Sequence, residues 1–271
     1  MYEIKDKVFL ITGASKGIGA VLTSEVLKEG AKHVRILDVD ATTGIKLQNE
    51  LNSQYGEGKT KFVKCDVSND DQLFSELVNA KAEQGYIDVV INNAGITNEA
   101  SYDAIRKLIQ INYIAVVNGS LKSVELMDKR HGGRGGTIIN MSSIAGLFPI
   151  CSPSFIYSSS KSAILQFTSC LGAESFYDDT GIRAISLCFG TTDTGIFDAM
   201  TTFKQSREQA LKDILAEHPR QSVESAARGT IEAYRKGTCA SVWLVRNNQP
   251  AIDISAISQR YYDELAKLIT S

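Results

Sequence analysis

Short apolar, β-prone runs recur along the chain at intervals long enough to hold a helix. They predict strands at residues 8–12, 33–38, 61–64, 89–92, 137–141, 183–188 and 242–245, with helical stretches between them. Several runs are apolar without alternation, as a strand reads when helices cover both faces of a parallel sheet. The expected fold is α/β, a doubly wound Rossmann-type parallel sheet with helices on both faces. Two helical stretches, one after Asn98 and one from Tyr157 to Phe176, carry apolar residues on more than one face, including Leu165, Phe167 and Leu171. That exceeds what packing on one sheet face requires and predicts a homodimer or homotetramer.

Length and composition leave this picture undivided. A chain of 271 residues with 43% hydrophobic content buries a substantial core as one domain. We expect a single domain over 1–271, with a covering lobe at about 191–220 and a C-terminal segment, 247–271, that closes a pocket or serves an interface. The formal net charge of −2 provides no basic field for nucleic acid and no polybasic membrane patch. No apolar run approaches the ~20 residues of a membrane span. The charged N-terminus leads straight into the first predicted strand without a signal peptide, so the expected address is cytoplasmic. Cys65, Cys151, Cys170, Cys188 and Cys239 are scattered without a Cys-x-x-Cys pair and read as reduced thiols. His33, His131 and His218 are too dispersed to suggest a metal. The glycine-rich run from His131 to Gly136 follows a helix and precedes a strand, so it reads as a surface turn and not as a phosphate loop.

The first strand is followed at once by Gly13-Ala-Ser15-Lys16-Gly17-Ile18-Gly19 and then by a helical pattern to about Lys28. Strand, glycine turn and helix in that order aim backbone N–H groups at a pyrophosphate, and the glycines let the phosphates approach the main chain. The next strand ends in Asp38, where a carboxylate accepts from both adenosine ribose hydroxyls and repels a 2′-phosphate. NAD is therefore the expected cofactor. Lys16 is the opposing signal, because it could pair with a 2′-phosphate. Asp66 and Val67 sit just past the third strand, placed either to meet the adenine edge or to cap a helix near Ser68. Asn93, Ala94 and Gly95 end the fourth, and their small size lets backbone lie close to the cofactor.

Tyr157 and Lys161 lie four residues apart, hence on one face of a helix. A fixed cation beside a phenol favours the phenolate and makes tyrosine an acid–base group. The plainer reading is a helix with one buried Tyr and one solvated Lys. Taken together, Thr12 to Gly19, Asn92-Asn93-Ala94-Gly95, Asn112, Ser143 and Tyr157-x-x-x-Lys161 resemble the short-chain dehydrogenase/reductase family over roughly the first 195 residues. Asp38 and the run from Ile139 to Gly146 are most similar to its insect alcohol dehydrogenase and 15-hydroxyprostaglandin dehydrogenase branch.

The resemblance implies hydride transfer between NAD(H) and an alcohol or ketone. Tyr157 would be the acid–base group, Lys161 would bind the nicotinamide ribose, and Ser143 would stabilise the substrate oxygen. Asn112, expected inside a helix, would hold a water that relays protons to Lys161. Asn92 would pack near the adenosine, and Gly190, Thr192 and Thr194 would cover the nicotinamide amide and pyrophosphate. Phe189 replaces the family's usual proline. The interval from Ser143 to Tyr157 is one residue longer than usual, and Pro149 and Pro153 suggest an insertion between Ile150 and Phe155, with Ser142 the rival hydroxyl. Ile144, Leu147, Phe148, Ile150, Phe155, Phe197, Met200 and Phe203 suggest an apolar secondary alcohol or ketone as substrate. A catalytically idle NAD(H)-binding protein of the same fold is the alternative.

Overall fold

The computed structural model describes residues 1–150, 152–198 and 200–270. The chain alternates β1 (Val8–Thr12), α1 (Gly17–Lys28), β2 (His33–Asp38), α2 (Ala41–Tyr55), β3 (Thr60–Lys64), α3 (Asp70–Gln84) and β4 (Val89–Asn92). It continues through α4 (Tyr102–Ile109), α5 (Ala115–Met127), β5 (Gly136–Ser143), α6 (Phe155–Leu171), α7 (Glu174–Thr180) and β6 (Ile182–Phe189). It closes with α8 (Glu208–Glu217), α9 (Val223–Lys236), β7 (Val242–Val245), β8 (Ile252–Asp253) and α10 (Ser255–Thr270).

One sheet runs in the order β3-β2-β1-β4-β5-β6-β7-β8. The pairs from β3 to β7 are parallel and only β8 is antiparallel, a two-residue edge strand too short to show in the apolar pattern. Alternation along each strand divides the core. Phe9, Ile11, Val34, Ile36, Ile139 and Ile185 face α1 and α9 on one side, while Leu10, Leu37, Val90, Ile138 and Ala184 face α3, α5 and α6 on the other. At ~25 cal/mol per Å² of apolar area removed from water, these two faces hold the fold together. The strand order reverses between β1 and β4, and the C-terminal strand ends at such a reversal are where a doubly wound sheet leaves a crevice.

The stretch expected as one helix from Tyr157 to Phe176 is divided into α6 and α7 at Gly172, where a Cβ would stand 2.7 Å from the Ala240 Cα. The apolar surplus behind the oligomer expectation is partly absorbed within the chain. Leu171 is buried, and Leu165 and Phe167 are half-buried against the chain's own core. In the run from His131 to Gly136, Gly133 packs against the Met127 backbone and Gly135 against Gly181, so these glycines serve close contact at the start of β5. Among the described residues no helix is long and apolar enough to cross a membrane.

Candidate active site

A cleft of about 920 Å³ opens at the switch point and runs from Asp38 past the glycine turn to Ser143, Tyr157 and Lys161. Its N-terminal wall is backbone. Gly13 has φ +63°, and a Cβ there would stand 2.7 Å from the Ala94 Cα, so the turn must be glycine to cross β4 this closely. Asn93 locks the crossing by donating from its side chain to the carbonyls of Thr12 and Gly13, each at 2.9 Å. Thr12 Oγ1 accepts in return from the N–H groups of Asn93 and Ala94. α1 starts without a side-chain cap and without an acidic residue in its first turn, whereas α2, α3, α4 and α9 are capped by Asp40, Asn69, Ser101 and Ser222. Its uncapped end meets the cleft at Lys16, Gly17 and Ile18, as an anion site requires.

Asp38 also lines the cleft, its carboxylate oriented by the N–H groups of Ser15 and Asp40, both at 3.0 Å. Lys16 is exposed on the rim. Asp66 and Val67 both line the cleft, and the Asp66 side chain is engaged in a turn with Ser68, accepting from its N–H at 3.0 Å and its hydroxyl at 2.6 Å, and in an ion pair with Lys107 at 2.9 Å. The α3 cap itself is Asn69. Three expected residues stand behind the wall and not on it. Ser15 spends its N–H on Asp38, Gly19 packs within 2.8 Å of Gly13 and Asn93 as measured from a would-be Cβ, and Asn112 is fully buried. Ser15 Oγ is buried with no partner among the described residues, leaving a hydroxyl in reserve beside the glycine turn.

The expectation that Asn92 packs near the adenosine is corrected. Its side chain turns into the core and donates to Ser120 at 3.0 Å and to Asn140 at 2.8 Å, and Asn140 donates to Thr168 at 2.9 Å. Gly119 makes room, since a Cβ there would come within 2.9 Å of Asn92 Oδ1. Asn112 also differs from its expected setting. It lies in a π-helical turn, Gln110–Ile114, between α4 and α5, and its amide brackets Ile96 by accepting from the N–H at 2.9 Å and donating to the carbonyl at 2.8 Å. Such turns insert one extra residue and re-aim a side chain out of the helix register.

The opposite wall is built at the end of β5 and the start of α6. Lys161 is fully buried, donates to the Met141 carbonyl at 2.9 Å and sits 5.7 Å from the centre of the Tyr157 ring. Burial pulls its ammonium down to about 8. Cys188 is in turn pushed up to about 12 by burial, so it stays a thiol. The two serines part company as strand alternation requires. Ser142 Oγ donates to the Lys161 carbonyl at 2.8 Å, whereas Ser143 Oγ only accepts, from the Ala145 N–H at 3.2 Å, and keeps its proton to offer. Both line the cleft. The proposed insertion falls partly on Cys151, outside the described residues.

Gly190, Thr192 and Thr194 line the cleft as expected. Their loop is held by Gln221, buried and absent from our sequence reading, whose amide donates to Thr192 Oγ1 at 3.0 Å and to the Val245 carbonyl at 2.9 Å. Of the apolar residues expected at the substrate end, Ile144, Ile150, Phe197 and Met200 line the cleft and are joined by Ile214, Leu215 and His218. Leu147 packs elsewhere, Phe148 and Phe155 are exposed, and Phe203 stacks edge-on against Tyr102. Glu99 also went unread. It is fully buried behind the cleft, where its Oε1 accepts from Ser154 Oγ at 2.9 Å and from the Tyr157 N–H at 2.6 Å.

A glycine turn under an uncapped helix, the Asp38 carboxylate and a Tyr157–Lys161 pair in one cleft of a doubly wound sheet are features of a nicotinamide-dinucleotide oxidoreductase of the Rossmann class. The chain belongs to the short-chain dehydrogenase family, whose pattern matches residues 7–205. It is 34% identical to human 15-hydroxyprostaglandin dehydrogenase [NAD(+)] over 198 residues, 73% of each chain. It is 29% identical to alcohol dehydrogenase 1 of Ceratitis cosyra over 253 residues, 89% of this chain and 96% of the other. A short-chain dehydrogenase/reductase from Burkholderia phymatum, solved in complex with NAD, superposes with a TM-score of 0.78 over 91% of this chain and 90% of its own at 23% identity. A metagenomic blue fluorescent protein in complex with NADPH superposes with a TM-score of 0.74 over 91% of this chain and 99% of its own, also at 23% identity.

Proposed function

We propose that the protein is an NAD(H)-dependent dehydrogenase/reductase that interconverts an apolar secondary alcohol and its ketone. The observation that carries this reading is the buried Lys161 ammonium beside the Tyr157 ring, in a cleft that extends to the glycine turn and Asp38. The lining of the cleft, from Asp38 past the glycine turn to Tyr157 and Lys161, supports a dinucleotide laid along it. The α1 N-terminus and glycine turn would hold the pyrophosphate, Asp38 the adenosine ribose, Val67 the adenine, Gly190 to Thr194 the amide end, and Lys161 the nicotinamide ribose. When bound, NAD supplies the hydride acceptor for oxidation and NADH the donor for reduction.

In oxidation Tyr157 Oη takes the hydroxyl proton as hydride leaves the carbinol carbon, and in reduction it returns that proton to the carbonyl oxygen. The Lys161 charge favours the phenolate that the first direction needs. Ser143 donates to the substrate oxygen while its charge develops. Asn112 brackets Ile96 and so holds the Gly95–Ile96 backbone beside Lys161, from where it would hold the water that relays protons to Lys161. Ile144, Ile150, Phe197 and Met200 supply apolar contact but no charged anchor, which supports an apolar substrate. Asp38 supports NAD over NADP, and the names of the human and Ceratitis relatives support an alcohol as the reduced substrate.

A screen of secondary alcohols at alkaline pH, read by NADH fluorescence, tests this directly. Tyr157→Phe should bind NADH like the parent and lose ~10²–10⁴ in turnover. More than half the parent activity in that variant would remove Tyr157 from the reaction.

A further inference from the structure

We infer that Glu99 is a positioning residue for Tyr157: its carboxylate serves as the N-terminal cap that α6 lacks and fixes where the phenol stands in the cleft. The inference rests on the proposed role of Tyr157. Ser154, the residue at the cap position of α6, offers no side-chain bond to the helix. Its hydroxyl instead donates to Glu99 Oε1, and the same oxygen accepts the Tyr157 N–H at 2.6 Å. Tyr157 is the third residue of the helix, and its N–H is one that a capping side chain ordinarily takes. Glu99 thus reaches across from the loop after β4 to do from outside what the helix does not do for itself. A carboxylate suits that end of a helix, where the peptide dipoles present positive charge.

Glu99 joins three parts of the site. It continues the Asn93–Asn98 stretch that lines the cleft. Its own N–H donates to Thr201 Oγ1 at 3.0 Å, Thr201 donates to Asn98 Oδ1 at 2.9 Å, and Thr97 Oγ1 donates to the Ile196 carbonyl at 2.9 Å, which ties the covering lobe to the same loop. Its second oxygen, Oε2, is buried with no partner among the described residues. Apolar packing does not ask for a carboxylate at this spot, so the side chain's placement is governed by its bonds to Ser154 and Tyr157. Lys161 lies one turn deeper and is held separately by the Met141 carbonyl. Loosening the first turn of α6 therefore displaces the phenol and spares the lysine and the glycine turn.

The test compares Glu99→Gln, Glu99→Asp and Glu99→Ala with Tyr157→Phe in the full-length protein, measuring NADH affinity by fluorescence, kcat, KM and the primary deuterium isotope effect on kcat. Gln keeps the accepting oxygen, Asp keeps the charge but withdraws it by one methylene, and Ala removes both. Because an error of about 1 Å in a reacting group costs on the order of 10²-fold, Ala should lose about 10- to 100-fold in kcat. It should keep NADH affinity within about twofold and show a raised isotope effect, because misplacing the proton acceptor slows the chemical step. Asp should fall between Ala and the parent, and Gln should recover most of the loss. If Ala does not fold, Asp and Gln decide, and an Asp variant equal to the parent overturns the inference. An Ala variant with parental kcat beside an inactive Tyr157→Phe overturns it while leaving the proposed reaction intact. An active Tyr157→Phe overturns the proposed reaction, and the positioning role with it.

Discussion

The two walls of the cleft are made in different ways. The wall proposed to hold the cofactor is shaped by close backbone approach: Gly13 comes as near the Ala94 backbone as only glycine can, the Asn93 and Thr12 side chains stitch the crossing to main-chain groups, and α1 leaves its N-terminal end uncapped. The catalytic and substrate wall is a matter of side chains, from Ser143, Tyr157 and Lys161 to Ile150, Phe197 and Met200. Close approach of the backbone fixes the first wall, with the Asn93 and Thr12 side chains holding it. Identity fixes the second, where a change of one hydroxyl or one ring alters what is bound or transformed.

The contrast is sharpest at the adjacent serines. Ser143→Ala should reduce turnover at least ~100-fold, as loss of one stabilising donor does. Ser142→Ala, whose hydroxyl is already spent on the Lys161 carbonyl, should retain most activity and lose only the ~1 kcal/mol of a buried hydrogen bond in stability. Steady-state kinetics of the two variants decide between them, and the opposite ranking would move the catalytic hydroxyl to Ser142.

A smaller effect belongs to the proposed cofactor wall. Asp38 should give NAD at least a tenfold advantage over NADP in kcat/KM, corresponding to ~1.4 kcal/mol. Asp38→Ala should narrow the gap, with the exposed Lys16 then free to favour the 2′-phosphate. Equal use of both cofactors by the parent would show that Lys16 outweighs the carboxylate.

A separate effect falls on stability, at Lys161. Lys161 titrates near 8 in the folded chain and near 10.5 when unfolded, because burial disfavours its charge. The unfolded chain then binds more protons between those values, so this group's penalty is complete below about 8 and is relieved as pH rises toward 10.5. Lys161→Met should therefore abolish turnover and yet raise stability at pH 7 without cofactor, by on the order of 1–2 kcal/mol once the lost Met141 bond is subtracted. Denaturant melts at pH 7 and pH 10 should show that gain shrinking at the higher pH. A variant less stable at pH 7 would mean that the lysine's packing outweighs its buried charge.

The same division explains what could be read from the sequence. The seven parallel strands were legible because several are continuous apolar runs and the others are short β-prone stretches set at helix-length intervals. The glycine turn and Asp38 were legible because they follow consecutive strands, and Tyr157 and Lys161 because a four-residue interval shares one helix face, whereas Ser143 came from the family resemblance. The Gly172 break was not, since the need for glycine comes from Ala240, distant in sequence. Glu99 and Gln221 were illegible for a related reason. In sequence each is one polar residue in a polar stretch, and only the tertiary fold buries it against a helix end or a loop. Asn92 was misplaced because the residue beside it, Asn93, does face the cleft, and adjacent positions at a strand end point opposite ways. Asn112 was recognised as a residue, but its π-helical setting leaves no mark in the apolar period.

The misplaced Asn92 has a mechanical consequence. With Ser120, Asn140 and Thr168 it forms a chain of bonds that pins β4, α5, β5 and α6 through their buried centres. A pin of this kind resists shear as well as separation, because each bond is directional and none can be exchanged for water in the core. The floor of the catalytic wall is thereby a stiff beam.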